Sequence, residues 1–192
     1  MPIEQSLIKI FKEGAKKASL ALSKLTGEQV SMEFFKIEVG KIQKVFSKFD
    51  SELIVVGIYL PITGDIRGAS ILIFPEKIAY NLCDLLVGRK PGTTRQLTEH
   101  DKSALNELGN IILGSILTVL SNNLKIKIIE HLPEFCFDMV GAVIDQIAAQ
   151  FIQKAEEVLT VELLFNFKNT TVKGYIFLFS EIEVMKVLNK NL

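Results

Sequence analysis

The stretch TEHDKSALNELGNIILGSILTVLSNNL, from Thr98 to Leu124, predicts a long amphipathic helix around which the rest of the chain is organised. Thr98 or Asp101 can cap its N-terminus, and acidic residues occupy the first turn, where the helix dipole favours negative charge. Apolar residues recur at helical spacing and predict one buried face: Leu105, Leu108, Ile112, Leu113, Ile116 and Leu120.

Two polar residues of this helix, Glu107 and Asn110, are three positions apart and therefore project from the same side. Ser103 lies one turn before Glu107 on that side, and Pro133 follows Asn110 after the 22 residues 111–132. A Glu and an Asn at this spacing are usually part of a solvated helix face.

The pattern Ser103-x3-Glu107-x2-Asn110-x22-Pro133 resembles the motif of the CheC/CheX/FliY phosphatases of bacterial and archaeal chemotaxis. That motif reads Asp or Ser, three residues, Glu, two residues, Asn, twenty-two residues, Pro, and all four positions match. The resemblance implies an α/β (α+β) fold of the CheC type, duplicated internally about a pseudo-two-fold axis. It is strongest to the single-site CheC-like proteins.

The resemblance also implies a reaction, the hydrolysis of the phospho-aspartate on a CheY-type response regulator. Asn110 would orient the attacking water, because a carboxamide both donates and accepts hydrogen bonds and does not titrate. Glu107 would anchor the regulator through its lysine, and Ser103 and Pro133 would support the motif. The chain would need no cofactor of its own, because the regulator brings the acyl phosphate, the lysine and a bound Mg²⁺.

The composition argues against several classes of function. Of the 192 residues, 22 are Lys or Arg and 22 are Asp or Glu, so the net charge is zero, which argues against a nucleic-acid binder. The two histidines, His100 and His131, are far apart, and no metal site is expected. No signal peptide is recognised, and the apolar run 111–120 is too short to span a bilayer. The expectation is a cytoplasmic protein with two free thiols, Cys83 and Cys136, and no membrane partner.

Periodicity and turn residues divide the chain into two similar halves, about 1–90 and 98–192. The first half predicts a helix (3–25), a strand (30–39), a short helix or irregular segment (41–49), a hairpin (52–60 and 68–74, with a turn at 61–65) and a helix (75–87). The second predicts a helix (to 123), a strand (125–131), a helix (139–153), a hairpin (157–167 and 172–179, with a turn at 168–170) and a helix (180–191).

The repeated order predicts internal duplication, with both halves sharing one α/β core in a single domain, 1–192. Aligning Leu22-Ser23 with Leu120-Ser121 places the four motif positions of the second half on Gln5, Lys9, Lys12 and Phe35 of the first. None of these matches the motif, so we expect one active site, on the second-half helix. Lys9 and Lys12 belong to a basic stripe with Lys16 and Lys17, interpreted as a solvated face or, second, a surface for an acidic partner.

The sequence is also compatible with two other functions. A CheC-like chain can act as a non-catalytic adaptor that binds the receptor deamidase CheD or a response regulator, but an adaptor has no need of Glu107 and Asn110 at this spacing. A flagellar-switch protein of the FliY kind carries a further C-terminal domain, whereas this sequence stops at Leu192, so the FliY alternative is not favoured.

Overall fold

Seven strands of the described chain form one antiparallel sheet. The computed structural model describes residues 3–151, 157–167 and 170–180. Its helices are α1 (Ile3–Thr26), α2 (Ile42–Phe46), α3 (Glu76–Leu86), α4 (Glu99–Leu124) and α5 (Val140–Phe151). Its strands are β1 (Val30–Lys41), β2 (Ile54–Gly64), β3 (Gly68–Pro75), β4 (Ile128–Glu130), β5 (Glu134–Met139), β6 (Glu157–Phe167) and β7 (Thr170–Ser180).

The strand order is symmetric when the two halves are exchanged. It runs β1-β6-β7-β3-β2, and both β4 and β5 then pair with the outer side of β2. The centre of the sheet is the β3–β7 pair, and each of these strands has its own hairpin partner beside it. Each outer edge is formed by a strand from the opposite half, so neither half has a complete sheet by itself.

The same symmetry appears in the residue numbers. Adding 98 to the residue numbers of β1 (30–41) gives 128–139. That range begins with β4 and ends with β5. The break between these two strands falls at 131–133, and β1 has a register shift between Phe34 and Lys36 at the matching place. This correspondence is what internal duplication predicts. The duplication itself, and the single-domain assignment, stay predictions.

Helices cover the sheet on both sides and create two apolar clusters. On one face, α1, α3 and α4 pack over alternate residues of the central strands, including Val56, Ile58 and Leu60 of β2. On the other face, α2 and α5 cover a smaller cluster that includes Val55, Ile71 and Phe177. The alternation of β2 residues between the clusters follows from the two-residue period of a strand.

The structure corrects three boundaries around the candidate site. The turn predicted at 61–65 is wrong, because β2 continues through Pro61 to Gly64 and the reversal falls on the following three residues. The strand predicted at 125–131 is shorter: Lys125 adopts a left-handed conformation (φ 52°) as the C-cap of α4, so pairing begins only at Ile128. No strand was expected at 132–138, where β5 lies.

Proline in the middle of β2 has a local explanation. The Pro61 carbonyl accepts a hydrogen bond from the His131 backbone N–H (3.0 Å), at the break between β4 and β5. The nitrogen of Pro61 faces the same side as its carbonyl, so the N–H that proline lacks would have pointed into this break. The helix predicted at 180–191 lies outside the described residues from 181 onward, as do positions 168–169 of the predicted turn and the predicted end of α5 at 153.

The length of α4 also corrects an expectation. The sequence prediction considered only the apolar run 111–120, but the whole helix has 26 residues. By length and composition alone, it could cross a bilayer. Half of its apolar window is buried within the protein, which is typical of a central core helix. The helix is less amphipathic than the sequence predicted, because it packs against both the sheet and α1.

The start of α4 is fixed by a buried carboxylate. Both candidate caps take part: Asp101 accepts hydrogen bonds from the Thr98 backbone N–H (2.9 Å) and hydroxyl (2.8 Å), and the Thr98 hydroxyl accepts one from the Asp101 N–H. Arg89 forms an ion pair with Asp101 at 2.9 Å. Burial alone would raise the pKa of Asp101, but the hydrogen bonds from Thr98, Cys83 and Arg89 outweigh it and hold that pKa well below its usual range.

We predict that Asp101→Asn lowers the free energy of unfolding by about 1.5–3 kcal/mol, the range for hydrogen bonds to charged groups. A carboxyl whose folded pKa is depressed stabilises the fold above its unfolded pKa, near 3.8, and this stabilisation is lost as the pH falls through the folded pKa. Urea unfolding at pH 7 and at pH 3 measures both effects, and the difference from the parent should shrink at pH 3. Glu99→Gln, at an exposed pair with Lys102, is the control and should change little. Equal stability of Asp101→Asn and the parent at pH 7 would contradict this role.

Candidate functional site

The candidate site lies on the side of α4 that faces the β4–β5 edge of the sheet. Ser103, Glu107, Asn110 and Gly114 follow one another at spacings of four, three and four residues, so they form one stripe along the helix. The carboxylate of Glu130, in β4, lies against Gly114. That contact shows that the stripe points toward the edge strand.

A glycine contact sets the distance between the stripe and the sheet. A β-carbon on Gly109 would lie 2.5 Å from Cγ2 of Ile58, so only glycine permits this approach of α4 to β2. Gly109 is buried at the interface, and the next residue, Asn110, emerges half-buried at its rim. The helix backbone that carries Asn110 is thereby held rigidly, as a preorganised site requires.

The polar side-chain atoms of Glu107 and Asn110 bond to no described residue. Glu107 is exposed and Asn110 half-buried, and neither side chain has a hydrogen-bond or ion-pair partner among the residues that the structure describes. Ser103 differs, because its hydroxyl donates to the Glu99 carbonyl one turn earlier (2.9 Å). The pair predicted from the sequence is thus brought together, while Ser103 is engaged within its own helix.

Pro133 lies on the neighbouring edge of the sheet and not on the helix. It is in the break between β4 and β5, next to Leu132, whose side chain is 85% exposed. Gly109 contacts Ile58, which pairs with Phe135, and Gly114 contacts Glu130. The break therefore lies beside the part of α4 that carries Asn110. A break in the edge strand at this point leaves the side of the helix uncovered.

Sequence reasoning missed the carboxylate of Glu130. A β-carbon on Gly114 would lie 2.9 Å from its Oε2, and the three atoms nearest to that position all belong to this carboxylate. Glu130 is exposed as a residue, but desolvation of its carboxyl where it lies against α4 raises the pKa of that group. The available signals were Gly114, one turn after Asn110, and a glutamate three residues before the motif proline.

An apolar strip lies beside the first turns of the stripe. Phe137 pairs with Val56 and Met139 with Ile54, so these residues share the sheet face that packs under α4. Phe137, Met139 and Ile54 are 44%, 47% and 41% exposed, because the helices do not extend over this corner. Adjacent exposed side chains of this size are typical of an interaction surface.

The other sequence candidates have no contact with the Glu107–Asn110 pair among the described residues. His131 approaches the Thr63 hydroxyl through Nε2 (2.9 Å), and His100 is exposed. Within the described part of the chain no three His, Cys, Asp or Glu side chains are grouped to hold a metal ion. Lys9 and Lys12 are exposed on α1; the side chain of Phe35 lies outside the described residues.

The two cysteines are free thiols, as expected. Burial, with the nearby carboxylate of Asp101, raises the pKa of Cys83 to about 12, so this thiol is protonated and unreactive at neutral pH. Cys136 is half-buried, and burial also raises the pKa of its thiol. Neither is suited to act as a nucleophile.

Comparison with solved structures shows the fold. The crystal structure of FliY from Thermotoga maritima matches with a TM-score of 0.77 at 21% identity, over 100% of this chain and 98% of that one. A chain in the FliG–FliM complex of H. pylori matches with a TM-score of 0.70 at 16% identity, over 97% of each chain. The predicted CheC/CheX/FliY type of α/β fold is thereby confirmed.

Comparison with sequences gives the family. The CheC-like family model matches residues 101–133, a range that contains all four motif positions. The protein named CheY-P phosphatase CheC, from Bacillus subtilis (strain 168), is 30% identical over 152 residues, which cover 78% of this chain and 73% of that protein. Because the family model matches the segment that carries the motif and most of the chain aligns with CheC, the chain belongs to the CheC-like family.

Proposed function

We propose that this chain is a phosphatase that hydrolyses the phospho-aspartate of a CheY-type response regulator in chemotaxis signalling. The observation that carries the proposal is the Glu107–Asn110 pair, which has no side-chain partner among the described residues and lies on α4 beside the break in the edge strand. The name of the Bacillus subtilis relative, CheY-P phosphatase, supports the same activity and the same class of partner.

Asn110 orients the attacking water in this proposal. Phosphoryl transfer needs little covalent chemistry from the protein, and positioning and charge neutralisation dominate. The regulator supplies the phosphoryl group, a lysine and Mg²⁺, so the phosphatase adds only a water held in line with phosphorus. The free carboxamide of Asn110 accepts one hydrogen of that water and donates to the phosphoryl group or to the water oxygen.

Glu107 anchors the regulator. Its exposed carboxylate lies one turn before Asn110, where it pairs with a lysine of the docked regulator and fixes the position of the phosphoryl group. The apolar strip of Ile54, Phe137 and Met139 lies beside the first turns of the same helix and adds apolar contact to this docking. Pro133 keeps the helix surface open by ending the pairing of the edge strand, and Ser103 lies at the rim without a chemical step.

Only one such site is proposed. Exposed Lys9 and Lys12 stand on α1 where the duplicated order would place the second Glu and Asn. Two ammonium groups can neither orient a water as a carboxamide does nor pair with a regulator lysine. The absence of a resident cofactor and the binding of CheD remain predictions of the family resemblance, and the cytoplasmic location remains a prediction from the composition.

The second candidate is a binding module without catalysis. The same fold occurs in a chain of the FliG–FliM complex, so this scaffold also serves in a protein assembly. Such a module would bind a response regulator or CheD through the apolar strip and would leave Asn110 without a task. The two candidates are therefore separated by substitutions at Asn110.

We predict that Asn110→Ala lowers the accelerated rate of regulator dephosphorylation by about 100-fold, because a misplaced water loses in-line geometry. The measurement is the time course of phosphoryl loss from a phosphorylated CheY-type regulator. Asn122→Ala, the same substitution at an exposed position of the same helix, is the control and should retain the parent rate. An Asn110→Ala protein with full activity would remove the water-orienting role.

We predict that Glu107→Ala weakens regulator binding by about 10- to 100-fold, the loss of one hydrogen-bonded charge pair. Titration with a regulator that carries a phosphoryl analogue measures the Kd, and the rate at saturating regulator should fall much less. Glu99→Ala on the exposed first turn is the control. An unchanged Kd for Glu107→Ala would show that the anchor lies elsewhere.

We predict that the double variant Lys9→Ala with Lys12→Ala keeps nearly all phosphatase activity. Both lysines are exposed, and such substitutions usually change the free energy of unfolding by less than about 0.5 kcal/mol. The assay is the same time course, with circular dichroism and melting curves to verify folding. A well-folded double variant that has lost most of its activity would overturn the single-site proposal.

A further inference from the structure

We propose that Glu130 is a third functional residue of this site, whose carboxylate accepts the proton of the water that Asn110 orients. The inference rests on the proposed phosphatase activity and adds a residue outside the four-position motif. It assigns a role to a carboxylate that the fold places on the functional side of α4 from a different element, β4.

Two independent contacts define the position of this carboxylate. Glu130 pairs with Ile62 of β2, and Ile62 belongs to the cluster under α1 and α4, so the Glu130 side chain projects toward the helix layer. At the helix, its Oε2 occupies the space beside Gly114 that a β-carbon would need. Gly114 is one turn after Asn110 on the same stripe, so the carboxylate lies about one helical turn from the position of Asn110 on the exposed side of α4.

The carboxylate of Glu130 has no structural task in the described chain. It forms no hydrogen bond or ion pair with any described residue, in contrast to Glu38, which binds Lys36 and Lys48. Glu130 is exposed, so water reaches its carboxylate, and the contact with Gly114 removes only part of that hydration. An unpaired, partly desolvated carboxylate next to a proposed reaction site is a candidate general base.

No charged group near Glu130 in the described chain accounts for the shift in the pKa of its carboxyl, so desolvation is the cause. On the facing side of α4, Glu107 lies two turns before Gly114 and Lys125 three turns after it, and β2 contributes the apolar Leu60 and Ile62. Desolvation alone raises the pKa of the Glu130 carboxyl. A raised pKa makes the carboxylate a stronger base, which suits a proton acceptor.

The chemical step balances with this residue included. The water oxygen forms a bond to phosphorus while the bond between phosphorus and the aspartyl oxygen breaks, and the regulator's aspartate leaves as a carboxylate. The water contributes hydroxide to inorganic phosphate, and its remaining proton passes to Glu130, which later releases it to solvent. Asn110 cannot take this proton because a carboxamide does not titrate, and Glu107 is paired with the regulator's lysine in this scheme.

The first test is Glu130→Gln, which keeps the shape of the side chain and removes its basicity. The single-turnover rate of regulator dephosphorylation should fall about 10- to 100-fold, at or below the lower limit of the usual range for general-base catalysis, because the transition state is loose. The Kd for the regulator should stay within about two-fold of the parent, as expected for a group that acts on water. The parent's activity should fall as the pH is lowered through the pKa of Glu130, and the Glu130→Gln protein should not show this acid limb.

Glu134→Gln is the matched control. It removes the same charge four residues further along the same edge, but Glu134 pairs with Tyr59 and so lies on the opposite face of the sheet from α4. It should keep the parent rate and the parent pH profile. An equal loss in both variants would indicate a general charge effect and would overturn the assignment.

The second test, Gly114→Ala, moves Glu130 without altering it. The added β-carbon would lie 2.9 Å from Oε2, so the carboxylate must shift, while replacing a helical glycine by alanine favours the helix. We expect an unchanged or higher melting temperature together with a loss of rate comparable to that of Glu130→Gln. Full activity in Gly114→Ala would show that the position against the helix is not the functional one.

The outcomes separate this inference from the proposed function. If the parent protein does not accelerate dephosphorylation of a CheY-type regulator, the proposed function fails and this inference fails with it. If the parent is active, Asn110→Ala is inactive and Glu130→Gln keeps the full rate, only the role of Glu130 is overturned. A Glu130→Gln protein that has lost regulator binding instead of rate would likewise overturn it, because the residue would then be an anchor.

Discussion

The close approach of α4 to β2 at Gly109 is the contact on which the rest of the site depends. Because a β-carbon there would overlap Ile58, a larger residue would push the helix away from the sheet. At this distance the stripe of α4 meets the edge strand, and Glu130 reaches Gly114. Gly109 and Gly114 thus determine the distance between the polar side chains of α4 and the Glu130 carboxylate of β4.

The architecture also explains why one side of α4 stays accessible. The edge strand that pairs with β2 is divided into β4 and β5, and the break falls beside the part of the helix that carries Asn110. The corresponding strand of the other half, β1, continues through a register shift. The two halves therefore share an order of elements but differ at the place where a docking partner would approach, in the strand as well as in the polar pair.

Much of this could be predicted from the sequence. The period of the apolar residues and the residues around Thr98 identify α4 and its start, and the motif spacing selects Glu107 and Asn110. The strand β5 was missed although Phe135, Phe137 and Met139 alternate, since it is short and directly follows Pro133. Glu130 could not be found this way, because its proximity to Gly114 depends on the pairing of β4 with β2, which joins residues far apart in the chain.

The central claim is that α4 carries a catalytic surface and not only a binding surface. The most direct measurement is the release of inorganic phosphate from a large excess of phosphorylated CheY-type regulator over this protein. We predict that each protein chain releases many phosphates, faster than the regulator loses its phosphoryl group alone. Release at the rate of the regulator alone, with the two proteins bound to each other, would contradict it and favour the adaptor.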